Sequence, residues 1–334
     1  MKAHKQYGMT LIELMVALAI GAFLMIGAIT VFMQSRTTFR VTESIARMQE
    51  NARFALDVLE PDIRMAQYWG LNTTTTYVEG RASTGVAHVL GPATCGNNWT
   101  IDLDEAIGGS NNSYGFGCAG MAPVETNADT LIVRHTNEDP DVLPLTGANT
   151  MRIQSRRAPG LSVVFRGTAI PGGFNFTATN SQTFRLRTNG YYVSRTSALS
   201  FGGALVPSLR VWTLLDSGAL QNQEVIAGVE DLQVELGIDT DPPANTSERY
   251  SIDRWVNVDD PLVDTTNPGF DINLPTVVLG VRVWVRVRAE RPENGYVDTN
   301  NYVYADQNVG PFNDNFRRMV VSKTIYLRNA RPLS

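Results

Sequence analysis

Side chains able to do chemistry are sparse in this chain of 334 residues, and one of them is oddly placed. Glu13 stands at the edge of an apolar run from Leu14 to Met33, with no neighbouring side chain to pair with. A carboxylate in such a run costs a few kcal/mol, roughly 2.5–3.5 at the centre of a membrane helix and less near its interface. Glu13 therefore requires a partner from elsewhere. The other capable residues form weaker patterns. His4, His88 and His135 are scattered, and the chain has no HExxH, GxSxG or GxxxxGK[ST] pattern. No catalytic constellation and no cofactor is expected, and each histidine reads as a surface or hydrogen-bonded residue. In IDTDPPANTSERYSIDR, Asp239, Asp241 and Asn245 are oxygen donors of the kind calcium takes, but Ala244 occupies the place of an EF-hand's sixth-position Gly and no Glu stands at the twelfth. A solvated polar turn is expected there, with no metal. Arg282, Arg286 and Arg288 form a row that reads as a solvent-facing sheet or a subunit contact. The net charge of −5 offers no general attraction to polyanions, so no direct nucleic-acid contact is expected.

The elements that must position these residues follow from the spacing of apolar side chains. Leu14 to Met33 is about 20 residues, roughly 30 Å as a helix and enough to cross a bilayer core. The preceding MKAHKQYG carries Lys2 and Lys5 and ends at Gly8, yet no small-residue cleavage site follows Met33 as an ordinary secretory signal would require. Cleavage, if it occurs, is expected before the apolar run, at Gly8. Beyond Met33, Val41, Ile45, Met48, Ala52, Ala55, Leu56 and Leu59 advance by threes and fours, one stripe on a helix, and Glu43 precedes Arg47 in the favourable order. The spacing predicts one helix from Met9 to Glu60, near 75 Å long, kinked or restarted by Pro61 and capped at Gly70. Residues 71–150 are rich in Thr, Asn and Gly and are loop-rich, with a strand pattern at TLIVRH. The remainder reads as strands at TLIVRH, LSVVFR, TFRLR, LRVWTLL, VEDLQVELGI, VVLGVRVWVRVRAE and MVVSKTIYLR. Val281, Val283, Val285 and Val287 alternate with Arg282, Trp284, Arg286 and Arg288, which fits an antiparallel sheet with one covered face. The fold expected is α+β, a long amino-terminal helix packed on antiparallel sheet.

A basic leader ending in Gly8, then Met-Thr-Leu-Ile-Glu and an apolar helix, resembles the class III leader of type IV pilins and type II secretion pseudopilins. The resemblance implies that a membrane prepilin peptidase cuts between Gly8 and Met9 and methylates the new amino terminus at Met9, where the family usually has Phe. It also implies a partner for Glu13, the amino terminus of an adjacent subunit. The charges flanking the helix barely decide orientation; the leader type implies an amino terminus in the cytoplasm and a periplasmic head. In that oxidising compartment the chain's two cysteines, Cys95 and Cys118, are expected to form a disulfide worth roughly 3 kcal/mol, since no CxxC spacing points to zinc.

Later segments are similar to the PilW-type minor pilins: DIRMAQYWG, LRVWTLLDSGAL, VIAGVEDLQVELGIDTD, VVLGVRVWVRVRAE and RRMVVSKTIYLRN, in that order. The subgroup often has a cysteine where this chain has Leu71, so the Cys95–Cys118 pairing rests on compartment and count alone. Removing the leader leaves about 326 residues and a charge of −7, a chain large for a filament's bulk subunit. The organisation expected is a leader at 1–8, a membrane and filament-core half-helix at 9–33, an amphipathic half at 34–70, a variable loop-rich region at 71–150 and a β-rich head at 151–334. The resemblance implies a non-enzymatic minor pilin. It would prime pilus assembly at or near the tip, with prepilin peptidase, other minor pilins, the major pilin, the inner-membrane assembly platform and, in some systems, a large tip adhesin as partners. A type II secretion or competence pseudopilin is the alternative. A signal-anchored periplasmic enzyme or binding protein is the third reading.

Overall fold

A computed structural model of the protein describes residues 8–72, 75, 78–81, 99–157, 162–174, 180–201, 204–241, 250–264 and 276–330. The chain divides into two compact units, Met1–Arg47 and Met48–Ser334. One helix, α1 (Leu11–Met65), runs through both. In the second unit its buried residues are Met48, Ala52, Ala55, Leu56, Leu59 and Ile63, the apolar stripe that the spacing predicts. Pro61 lies inside α1 and does not end it. Hydrogen bonds to the body of the protein hold the residues on either side of it: Glu60 accepts from Lys323, and Asp62 accepts from Asn189 and Tyr191. Those ties outweigh the one backbone bond that proline cannot make.

The helix passes Glu60 and ends at Met65, short of the cap expected at Gly70. Gln67 takes a left-handed φ of 65° directly after the final turn, and Gly70 lies beyond the helix. The last carbonyls are met by the carboxyl-terminal segment, where Asn329 Nδ2 donates to Met65 and Ala66. Distant residues thus do the capping that a local glycine was expected to do.

The described strands are β1 (Val78–Glu79), β2 (Ile107–Ser110), β3 (Thr130–Thr136), β4 (Met151–Arg156), β5 (Ser162–Arg166), β6 (Ser181–Ser194), β7 (Ser200–Phe201) and β8 (Ala204–Leu205). They continue with β9 (Ser208–Leu214), β10 (Leu220–Ala227), β11 (Val229–Asp239), β12 (Arg254–Asn257), β13 (Val277–Arg288), β14 (Tyr302–Tyr304), β15 (Gln307–Val309) and β16 (Arg318–Tyr326). The larger sheet follows the order β1-β5-β4-β6-β3-β2, with β9 joined to β6 and β10 to β9. All its pairings are antiparallel except β1 with β5. The second sheet, β12-β11-β13-β16, is antiparallel throughout. The arrangement is α+β.

The chain passes from the first sheet to the second across Gly228, whose φ is +90°. A Cβ there would meet Asn51 Nδ2 at 3.2 Å and the Arg288 carbonyl at 3.3 Å, so both the turn and the close approach require glycine. Asn51 of α1 donates to the neighbouring Ala227 carbonyl, fixing the helix at this junction. In the second sheet Val281, Val283, Val285 and Val287 are fully buried. Across β11, Leu236, Val234 and Leu232 face Val281, Val283 and Val285; across β16, Ile325 and Val321 face Val281 and Val285. Side chains of period two on paired strands build one apolar face.

Candidate functional site

The start of α1 brings together the residues singled out by the sequence. Thr10 caps the helix: the Glu13 amide donates to Thr10 Oγ1 at 3.3 Å, while the Thr10 amide and hydroxyl donate to Glu13 Oε2 at 2.8 and 2.9 Å. This reciprocal capping box satisfies two amides that the first turn would otherwise leave open. Gly8 and Met9 precede it in irregular, exposed backbone, and Met9 is 72 % exposed. From Leu11 to Met33, Glu13 is the sole ionisable residue. The large apolar side chains of this stretch, such as Phe23, Leu24 and Phe32, are exposed, and the helix is long and apolar enough to cross a membrane. The hydroxyl of Thr30 donates to the Gly27 carbonyl at 2.8 Å, and Thr37, Thr38 and Thr42 likewise bond the carbonyl four residues back. These polar side chains need no water for their hydrogen bonds.

Other residues fall outside this region. Cys118 is buried, and Tyr114 donates to its carbonyl at 2.8 Å. Cys95 lies outside the described residues, as do His4, His88 and Asn245. Asp239 and Asp241 are joined by Asp253, at the far end of the quoted stretch and not among the donors that the sequence singled out; their carboxylates come within 4.8 Å of one another. Asp239 accepts from the amides of Asp241 and Tyr250, and Asp253 accepts from the amide and hydroxyl of Thr240. These bonds tie Thr240 and Asp241 to Tyr250 and Asp253, on the two sides of residues 242–249, which lie outside the described residues.

The arginine row is not a solvent-facing cationic surface. Residues 289–317 return over β13 and supply carboxylates and rings, together with Glu230, the Asp231 carboxylate of β11 and the Trp255 ring of β12, and β16 adds Arg318. Arg286 is bound by Glu230 at 3.1 Å and by the Tyr304 hydroxyl at 2.6 Å, and Tyr304 in turn donates to Asp231. Arg318, on β16, reaches Glu230, Asp298 and Asp314 at 2.7, 3.0 and 2.7 Å and lies 3.9 Å from the Phe312 ring centre. Arg288 stacks on Phe316 at 4.2 Å, and Arg282 on Trp255 at 4.0 Å. Only Arg282 keeps substantial exposure, with Glu235 at 3.6 Å. The row therefore locks a loop onto the sheet by paired charges and stacking.

Several buried carboxyls are held above their ordinary range. Burial pushes Glu105 up to about 8 against the opposing pull of Arg134, and Asp129 up to about 7 although two backbone amides bond it. Burial likewise raises Asp231 to about 6, with Arg286 and Tyr304 pulling the other way. Asp129 bridges the sheets, accepting from Asn112 at 2.8 Å and from the Val234 amide of β11 at 2.7 Å. A surface groove is lined by Asn137, Asp139, Pro140, Val142, Leu143 and Arg185, among others. Its Asp141 is committed to Arg152 and Arg185 at 2.7 and 2.6 Å. These groups read as structural ties.

Comparison with known families gives two matches. Residues 190–329 match the family model of the type IV pilus-assembly protein W, and residues 3–29 match that of the prokaryotic N-terminal methylation motif. The first spans β9 to β16, including the sheet that holds the arginine row; the second spans Gly8, Met9 and Glu13. No curated protein and no solved structure matches the chain significantly.

Proposed function

Taking the chain as a PilW-type pilin with a prepilin leader, we propose that it is a minor pilin that primes type IV pilus assembly and resides at or near the pilus tip. The observation carrying this reading is the start of α1. The exposed apolar stretch of α1 from Leu11 to Met33, long enough to cross a membrane, bears a single carboxylate, Glu13, at the fifth position after Gly8. In the proposed sequence of events the helix inserts in the inner membrane with the head in the periplasm. Prepilin peptidase removes residues 1–8 and methylates Met9. The assembly platform then extracts the subunit from the bilayer.

Glu13 acts at the extraction step. Alone in the membrane, its carboxylate is occupied by the Thr10 amide and hydroxyl. Beside another pilin it exchanges these for the neighbour's amino-terminal ammonium. The exchange favours a docked neighbour because a charge pair in low dielectric outweighs neutral hydrogen bonds. The head then selects which minor or major pilin is accepted, and presents a surface to any tip adhesin. Cys95 and Cys118 form a disulfide within it.

Deletion of the gene tests the priming role. The expected result is loss of surface filaments with major pilin retained in the membrane, restored by the wild-type chain and not by Glu13→Ala. Normal filaments with a type II secretion defect would instead identify a pseudopilin, and normal filaments with no secretion defect would refute both assembly roles.

A further inference from the structure

We propose that Asp62 and His135 form a proton-dependent clamp that holds the last turns of α1 to the larger sheet. His135, on β3, is nearly buried, and both its ring nitrogens face acceptors: Nε2 lies 2.8 Å from Asp62 Oδ1, and Nδ1 lies 2.7 Å from the Thr136 carbonyl. Neither acceptor carries a hydrogen when Asp62 is ionised. A neutral imidazole has one N–H and can satisfy only one of the two contacts, whereas the imidazolium donates to both. The geometry therefore assigns the charged ring.

Asp62 is the other half of the clamp. Besides His135, it accepts from Asn189 Nδ2 at 3.0 Å through Oδ1 and from the Tyr191 hydroxyl at 3.0 Å through Oδ2. One carboxylate on α1 thus gathers donors from β3 and β6. The charged and titratable groups around the ring are Asp62 from the helix and Arg187 and Tyr191 from β6. Arg187 stands opposite His135 in the strand register and opposes its charge, but is itself paired with Asp216 at 3.1 Å. Tyr191 is held well above the usual tyrosine range, first by burial and then by Asp62, so it remains a neutral donor.

Burial alone would lower the His135 pKa. The Asp62 hydrogen bond and charge, with the Thr136 carbonyl, more than offset burial and raise it above its ordinary value of 6.5. A raised folded-state pKa on a base fixes the sign: the clamp is fully formed below about 6.5 and is lost as pH rises through the higher folded value. Deprotonation leaves one lone pair facing an oxygen, so the grip on the helix end weakens at alkaline pH. This device does not depend on the pilus reading.

The test is an NMR titration of the histidine ring signals in the full chain in detergent, with thermal unfolding of the same samples from pH 6 to pH 9. His135→Gln identifies the signal by its disappearance; should that variant not fold, His4→Gln and His88→Gln assign it by elimination. The expected result is a His135 pKa above 6.5 that falls by about one unit or more in Asp62→Asn. The Tm advantage of the wild type over Asp62→Asn should shrink as pH rises. A wild-type His135 that titrates at or below 6.5 overturns the clamp, whether or not Asp62→Asn folds. So does a pKa that Asp62→Asn leaves unchanged.

Discussion

Arg318→Met removes the centre of the network that fastens residues 289–317 to the second sheet. The guanidinium is 1 % exposed and Asp298, 3.0 Å away, is 0 % exposed. Arg318 also holds Glu230 and Asp314 through paired hydrogen bonds of 2.7 and 3.1 Å, and of 2.7 and 2.7 Å. Methionine fills the volume but leaves Asp298, among the described residues, with Tyr296, Asn300 and Tyr302 as its side-chain donors, none of them charged. Breaking a buried ion pair by removing one partner costs about 3–5 kcal/mol. At roughly 2–4 °C per kcal/mol for a domain of a few hundred residues, the Tm should fall by about 10 °C at pH 7. The pH dependence has a definite sign. In the wild type burial pushes Asp298 up, but Arg318, Asn300 and Tyr302 more than compensate, and the carboxyl is held below its ordinary value. Its stabilisation is present above about pH 3.9 and lost as pH falls through the lower folded value. Loss of Arg318 removes the largest of the hydrogen bonds that oppose burial, so the folded pKa of Asp298 rises and less stability remains to be lost as pH falls. The deficit of Arg318→Met should therefore shrink between pH 7 and pH 4. Urea unfolding followed by tryptophan fluorescence measures it, with Arg318→Lys expected to fall between the two. A deficit below about 0.5 kcal/mol at pH 7, the range of an ordinary surface substitution, would refute the reasoning, as would a deficit that does not change with pH.

Two further outcomes follow from packing and covalent chemistry. Leu59→Ala, at a position with 0 % exposure on the helix face that meets the head, should cost about 2–5 kcal/mol in the same assay, and Phe54→Ala, at 47 % exposure one turn earlier, less than about 1 kcal/mol; equal effects would contradict the assigned face. Cys118→Ser should destabilise the head by roughly 2–4 kcal/mol under oxidising conditions. Peptide mapping without reductant should recover Cys95 linked to Cys118 in the wild type, and finding both as free thiols would refute the pairing.

The parts of this protein legible in its sequence are those set by local spacing. Gly8, Glu13 and the apolar run follow one another within a single short stretch of sequence, and the valines of β13 announce their face by alternation. What escaped was set by residues far apart in the chain. Pro61 reads as a kink or a restart, and the sequence around it shows nothing of Lys323, Asn189 and Tyr191, which hold its neighbours in place. The arginines of β13 read as an exposed face because the rings that cover Arg286 and Arg288, from Tyr304 to Phe316, lie on a loop whose return path leaves no local pattern. His135 looked isolated because Asp62 is 73 residues away. Strand β10, LQNQEVIA, has too few apolar residues to show alternation, and its existence depends on pairing with β9.

The central claim is that Glu13 and a processed amino terminus make this chain a filament subunit, and intact mass spectrometry tests it most directly. The protein is compared from membranes and from sheared surface filaments, as wild type and as Glu13→Ala. The account predicts a mass lacking residues 1–8 and bearing one added methyl group, with the wild type recovered from filaments and Glu13→Ala confined to the membrane. A full-length mass with no filament-associated protein would contradict it, leaving Glu13 a capping residue of an ordinary membrane anchor.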